Sequence, residues 1–169
     1  MDAYDLVRTE VNLSLSKRLG FTEIISAVKA HLGAPESKVM MATEPTSLRR
    51  IREGIIGLIS TDYKIGGQML AEISDNETAV FIAVSPIISG YGIQRSRQIF
   101  RAAALFNQSE KKDIQVGFVS FAGTSAELCS RIQLLQLAKL ISEDDSYAKR
   151  SISETNSLLL KAVVNENNI

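Results

Sequence analysis

The run Ala79-Val80-Phe81-Ile82-Ala83-Val84 carries no polar residue on either side of its alternation. A strand at a solvent-facing sheet surface alternates apolar and polar positions, whereas one without a polar face has to be covered above and below. That requirement selects a layered arrangement, with helices packed on a central sheet. Turn chemistry at Ser74-Asp75-Asn76-Glu77 precedes the run. Gln68 to Ile73, opened by Gly66-Gly67, reads as its hairpin partner.

The remaining elements follow from spacing. Ile93 to Phe106 is the strongest helix, with Ile99, Ala102, Ala103 and Phe106 on one face. Ile114 to Ser120 reads as a strand, Gly123-Thr124-Ser125 as a turn, and Ala126 to Ile141 as a Leu-rich helix. That helix is apolar around much of its circumference, which suits a second covered face such as a dimer interface. Upstream, Val39 to Ala42 is a short strand and Thr43 to Ser47 a Pro-containing helix start. Leu48, Ile51, Ile55, Leu58 and Ile59 then share a helical face. Two helices come first: one over Leu6, Val7, Val11, Leu13 and Leu15, ended by Gly20, and one from Thr22 to Leu32, stopped by Gly33 and Pro35.

The expected fold is therefore α/β, a small sheet of about four strands flanked by helices. From Val39 its order is β-α-β-β-α-β-α, after two N-terminal helices. Residues 1–141 read as one domain and 142–169 as a polar tail, because the acidic cluster Glu143-Asp144-Asp145 opens a Ser- and Asn-rich end. Leu158-Leu159-Leu160 and Val163-Val164 are the only apolar clusters in that tail.

The 169 residues, 45% apolar and 22% charged, suit one globular core. With 19 basic and 19 acidic residues there is no global field toward nucleic acid or an anionic membrane, so such attraction has to be local. The single Cys129 and single His31 exclude an intrachain disulfide and zinc sites built on paired thiolates or several imidazoles. No stretch approaches the roughly 18 apolar residues of a membrane span, and the opening residues lack a basic n-region, so neither membrane contact nor export is expected.

One segment has a chemical signature. No acid occurs between Glu77 and Glu110, while Arg95, Arg97 and Arg101 lie inside that window. Gly90-Tyr91-Gly92 sits there between a buried strand and the strongest helix, where free backbone amides and the helix dipole suit phosphate or carboxylate. Read structurally, the same glycines are turn residues and the arginines a solvated helix face. Arg49, Arg50 and Arg52 form a second basic cluster suited to an RNA backbone, with Glu44 and Glu53 beside it. Tyr91 adds an aromatic surface on which a base could stack.

Val84-Ser85-Pro86 followed by Gly90-Tyr91-Gly92-Ile93 and a helix resembles the acetyl-CoA loop of the GNAT acetyltransferases. Ser89 stands where that pattern has Arg or Gln, and Gln94 where it has Gly or Ala. The element order from Val39 is similar to that of BRCT-type interaction domains. The whole chain, from Met1-Asp2-Ala3-Tyr4-Asp5-Leu6 to its polar end, resembles the small accessory protein of the cystovirus polymerase complex. That resemblance implies a non-enzymatic protein without a cofactor, homodimeric, located in the virion inner core and in the host cytoplasm during assembly. Its implied partners are viral capsid and polymerase proteins and viral RNA, and its implied roles are capsid assembly, RNA packaging and RNA synthesis. An acetyltransferase binding acetyl-CoA at Gly90–Gly92 is the alternative from a different class.

Overall fold

The computed structural model describes residues 2–32, 34–43 and 47–164. The strands are β1 (Tyr4–Val7), β2 (Glu23–Ser26), β3 (Val39–Met41), β4 (Gly57–Ser60), β5 (Ala79–Ala83) and β6 (Val116–Val119). The helices are α1 (Leu13–Leu19), α2 (Ser47–Arg52), α3 (Gly67–Asp75), α4 (Ser85–Ser89), α5 (Gly92–Glu110), α6 (Arg131–Ser142), α7 (Asp145–Arg150) and α8 (Asn156–Val164). A 3₁₀ turn at Ser125–Glu127 precedes α6, and a π-helical turn at Ser151–Thr155 joins α7 to α8.

The chain is α/β, and its main sheet holds four parallel strands in the order β3-β4-β5-β6. β1 and β2 form a second parallel pair. The two pieces abut, because the chain just beyond β6 runs alongside β1. The Phe121 amide donates to Leu6 O at 2.7 Å, and the Arg8 amide to Ala122 O at 2.8 Å. At the start of this seam a side chain takes over from the backbone. Asp5 Oδ1 accepts from the amides of Ser120 (2.6 Å) and Leu6 (2.8 Å), and Oδ2 accepts from the Ser120 hydroxyl. Across the molecule the strands thus lie in the spatial order β3-β4-β5-β6-β1-β2.

Both faces are covered, as the apolar run at β5 demands. On one side Leu58, Val80, Ile82 and Phe118 pack against Ile51 of α2, Leu70 of α3, Phe106 of α5 and Leu134 of α6. On the other, Val39, Ile59, Phe81 and Val119 pack against Leu159 and Ala162 of α8 and Ala30 of the β2–β3 connection. Phe81 is wholly buried between two glycines of the neighbouring strands. A Cβ at Gly117 would lie 2.6 Å from the Phe81 ring, and one at Gly57 would also collide with it.

Several sequence expectations are corrected here. The first expected helix contains β1 ahead of α1, and the second contains β2; Leu6-Val7 and Ile24-Ile25 are short runs buried on both sides, which periodicity does not distinguish from helix. The expected hairpin is absent, since its first strand is α3, with Leu70 and Ile73 as the buried helical pair. Leu58 and Ile59, expected on a helix, belong to β4, because α2 ends at Arg52 and the chain turns at Gly54 with φ of +81°. A helix consequently separates β4 from β5, and the expected β-α-β-β-α-β-α order of a BRCT-type unit is not the one seen.

Within the stretch expected as a polar tail, residues 145–164 are helical, and their buried side chains pack on the sheet. Leu159 is buried, and the buried Asn156 side chain donates to Tyr4 O at 2.9 Å and Phe118 O at 2.6 Å. Its serines are compatible with burial because they bond back into the helix, Ser151 to Ala148 O and Ser153 to Lys149 O. Gly33, Glu44, Pro45 and everything after residue 164 lie outside the described residues, as do the side chains of Val163 and Val164.

Asp5 is fully buried with no cation bonded to it, and burial pushes its carboxyl up from 3.8 to about 6 against the hydrogen bonds from Ser120 and Leu6. A folded pKa above the unfolded one means that stability is present below about pH 4 and is lost as pH rises through about 6, by roughly 3 kcal/mol. The Asp5→Asn variant keeps an acceptor for the two amides and does not ionise. Its stability should therefore gain on that of the wild type between pH 4.5 and 7.5, as read by urea unfolding at about those values. Asp5→Ala should cost about 2–4 kcal/mol by leaving both amides without an acceptor. An unchanged gap between wild type and Asp5→Asn at the two pH values would show that this carboxyl does not titrate in the window.

Candidate functional site

β5 runs into Val84, and Pro86 sits in the first turn of α4, where its missing amide costs no hydrogen bond. The chain then turns through Gly90 and Tyr91 into α5, with Gly92 at a φ of +46°, a left-handed conformation that a glycine adopts without strain. Gly90 is tight against its neighbours: a Cβ there would lie 3.0 Å from Pro86 O.

Arg95 folds back over this turn. Its Nε donates to Ile87 O (3.1 Å) and Gly90 O (2.9 Å), and Nη2 donates to Ile88 O (3.1 Å). Those carbonyls have no partner within α4, so the guanidinium completes the end of that short helix and balances its dipole. Arg95 is thereby committed to structure. Arg97 and Arg101 are exposed and make no ion pair with any described residue. Together with Gly92, Ile93, Ser96 and Phe100 they form a shallow outer face on α5.

The second basic cluster is neutralised from within the chain. Arg49 pairs with Glu53 at 2.7 Å, Arg50 with Glu53 at 3.5 Å and with Ser37 O, and Arg52 with Glu72 through two hydrogen bonds. Arg52 holds the Glu72 carboxyl below its usual range and ties α2 to α3. The two arginine groups therefore serve different elements, and among the described residues the one on α5 leaves Arg97 and Arg101 without an ion pair.

What the sequence did not show is how apolar this surface is. Large hydrophobic side chains are exposed at Leu13, Val28, Tyr91, Ile93, Phe100, Ile132 and Leu140. Five of these seven belong to the Tyr91–α5 segment and to α6, which packs beside it. Tyr91 is 80% exposed, Phe100 75% and Ile132 70%, values expected of charged side chains. Between α4, α5 and α6 runs an apolar groove lined by Ile88, Ile99, Leu128, Ile132 and Leu140, with Cys129 on its wall. Burial and the nearby Asp5 push the Cys129 thiol well up, so it sits there as a neutral apolar group. The available signal was a second acid-free window, Leu128 to Ser142, which lies next to the first only once the helices are packed.

α3 rather than a strand precedes β5, and α4 stands between β5 and the glycines. Among the described residues no cluster of three His, Cys, Asp or Glu gathers to hold a metal ion, and no helix is long and apolar enough to cross a membrane. No family model matches the chain, and no curated protein matches it.

Arg95→Ala should lower stability by about 1–2 kcal/mol in urea unfolding, because three carbonyls lose a charged donor. Arg97→Ala, at a solvated position, should stay within about 0.5 kcal/mol of wild type. Equal effects of the two would remove the capping role.

Proposed function

We propose that this chain is a non-catalytic binding and assembly protein that works through the face formed by α5 and α6. The observation that supports this reading is the concentration of exposed Tyr91, Ile93, Phe100, Ile132 and Leu140 within two acid-free stretches, Thr78–Ser109 and Leu128–Ser142. Water-exposed apolar groups gain free energy when a partner covers them. Arg97 and Arg101 beside Phe100 add the charged and aromatic contacts that dominate interface energetics. An accessory role in the core of a double-stranded RNA virus, which the cystovirus resemblance implies, gives such a face capsid and polymerase proteins to engage. It also brings RNA phosphate within reach of Arg97 and Arg101.

The native protein should bind the fluorescent probe bis-ANS saturably on this face. Phe100→Asp combined with Ile132→Asp should lose most of that signal, with a melting temperature within about 2 °C of wild type because both side chains are already in water. Equal probe binding by the two proteins would take the face out of the function.

RNA binding has its own readout. Filter binding of a short single-stranded RNA should weaken in Arg97→Ala/Arg101→Ala, and the slope of log K against log salt should fall by about 1.4, roughly 0.7 for each phosphate no longer neutralised. An unaltered slope would leave proteins as the partners of this face. The acetyltransferase alternative predicts heat on calorimetric titration with acetyl-CoA, and the binding-protein reading predicts none up to millimolar ligand.

A further inference from the structure

We propose that the outer face of α5, from Gly92 to Arg101, docks an acidic peptide segment of a partner protein that carries an apolar anchor residue, an inference that rests on the α5–α6 face being the working surface. Gly92, Ile93, Ser96, Arg97, Phe100 and Arg101 line one shallow depression there. Ala102, Leu105 and Phe106 take the opposite side of the helix into the core, so these six face outward. The apolar part of the depression is in water, with Ile93 73% exposed and Phe100 75%. Gly92 and Ser96, one turn apart, are its low part. The Ser96 hydroxyl donates back to Gly92 O at 3.3 Å, so covering it leaves no donor stranded. An apolar side chain can settle there against Phe100.

Charge decides what that occupant carries beside its apolar residue. Arg97 and Arg101 line the same depression and make no ion pair with any described residue. No Asp or Glu lies from Thr78 to Ser109, so the sequence around them offers no internal counter-charge. Four residues apart on a helix, the two stand about 6 Å apart along its axis. Carboxylates four apart on a partner helix, or two apart on an extended strand, have a similar spacing. Along α5, Arg97 falls between Ile93 and Phe100, so the anions must stand level with the apolar contact.

A peptide supplies carboxylates and an apolar side chain at one level, and the other occupants do not. A bilayer separates the two by depth, with its phosphates above the acyl chains that would cover Ile93 and Phe100. Two arginines neutralise two phosphates, which gives RNA weak, sequence-blind binding and leaves Ile93 in water. A second copy seated symmetrically on this face would set Arg97 and Arg101 against cations of its own kind. The acidic cluster of such a copy is already engaged, since Asp144 caps α7 and Asp145 pairs with Lys149 and Lys139.

A display library of random peptides of about 12 residues, enough to span the roughly 14 Å from Gly92 to Arg101 as a helix, tests the proposal when selected on the intact protein and counter-selected on Phe100→Gln. Enriched peptides should be net negative, with an apolar residue beside the acids. A synthetic representative should lose at least about tenfold in affinity on Phe100→Gln and on Arg97→Ala/Arg101→Ala, with its salt dependence flattened in the arginine variant alone. On Arg97→Glu/Arg101→Glu the same library should enrich basic peptides instead. All three side chains are exposed, so unchanged melting curves verify that the variants fold. Basic or neutral peptides that depend on Phe100 in the intact protein would overturn the acidic occupant and leave the face as the working surface. Peptides indifferent to Phe100→Gln, or no enrichment over that variant, would overturn the proposal, and the bis-ANS comparison then decides separately whether the α5–α6 face survives. A dimer in sedimentation equilibrium that Phe100→Gln dissolves would make a second copy the occupant and overturn it. Phe100-dependent binding to single-stranded RNA or to phosphatidylserine vesicles, tighter than to the peptide, would overturn it as well.

Discussion

The seam between β1 and the end of β6 is the contact on which the rest of the molecule depends. Without it the sheet is a four-stranded piece and a two-stranded piece, and an isolated strand pair is marginal in water. The seam is held by groups from the two ends of the chain. The Asp5 carboxylate bonds Ser120, 115 residues away, and the Asn156 amide spans Tyr4 O and Phe118 O. Closing so long a loop costs entropy before any contact repays it, so these bonds belong late in folding. The arrangement also carries local costs. Phe121 sits at a φ of +50°, with its carbonyl taking a bond from Arg8 Nε and its ring beneath the Arg8 guanidinium. A buried carboxylate without a cation is the other cost, offset by three hydrogen bonds.

The seam and the central strand together decide what remains outside. Phe81 between Gly57 and Gly117 leaves one sheet face shallow, and α8 with the β2–β3 connection suffices to close it. The opposite face receives α2, α3, α5 and α6 side by side. Each of those helices has its apolar inner stripe on the sheet, as Ala102, Leu105 and Phe106 show for α5. Ile93 and Phe100 lie on the other side of that helix, and no further layer among the described residues covers them. Their exposure follows from the topology, since the other helices of the described residues pack elsewhere.

The legible parts of the fold were those with one-sided evidence. The Ala79–Val84 run needed cover on two faces whatever its partners, and α5 and α6 repeat their apolar residues over enough turns to exclude a strand. The illegible parts were short. Leu6-Val7, Ile24-Ile25 and Leu58-Ile59 each supply two apolar residues to a parallel strand, and nearby apolar residues at spacings of three and four completed a false helix. The C-terminal helices were hidden by composition, because Asn156, Ser151 and Ser153 are polar in sequence and satisfied when buried. At the candidate site the acid-free window was legible and the fate of each arginine was not. Arg95 spends its donors on three carbonyls, and Arg49, Arg50 and Arg52 spend theirs largely on Glu53 and Glu72, distinctions that rest on which neighbours the fold supplies.

Unpaired cations stand beside part of this apolar surface. Exposed aromatic and aliphatic groups on a rigid helix invite association with copies of themselves. Arg97 and Arg101 flank Phe100 on α5, so a symmetric encounter through that helix would bring like charges together as the apolar groups approach. Like-charge repulsion acts only on partners with the same sign. Cations that would oppose self-pairing there would favour a partner surface of the opposite sign. Selectivity on this face therefore needs no acid of its own. The absence of Asp and Glu from Thr78 to Ser109 and from Leu128 to Ser142 is the sequence-level form of that condition.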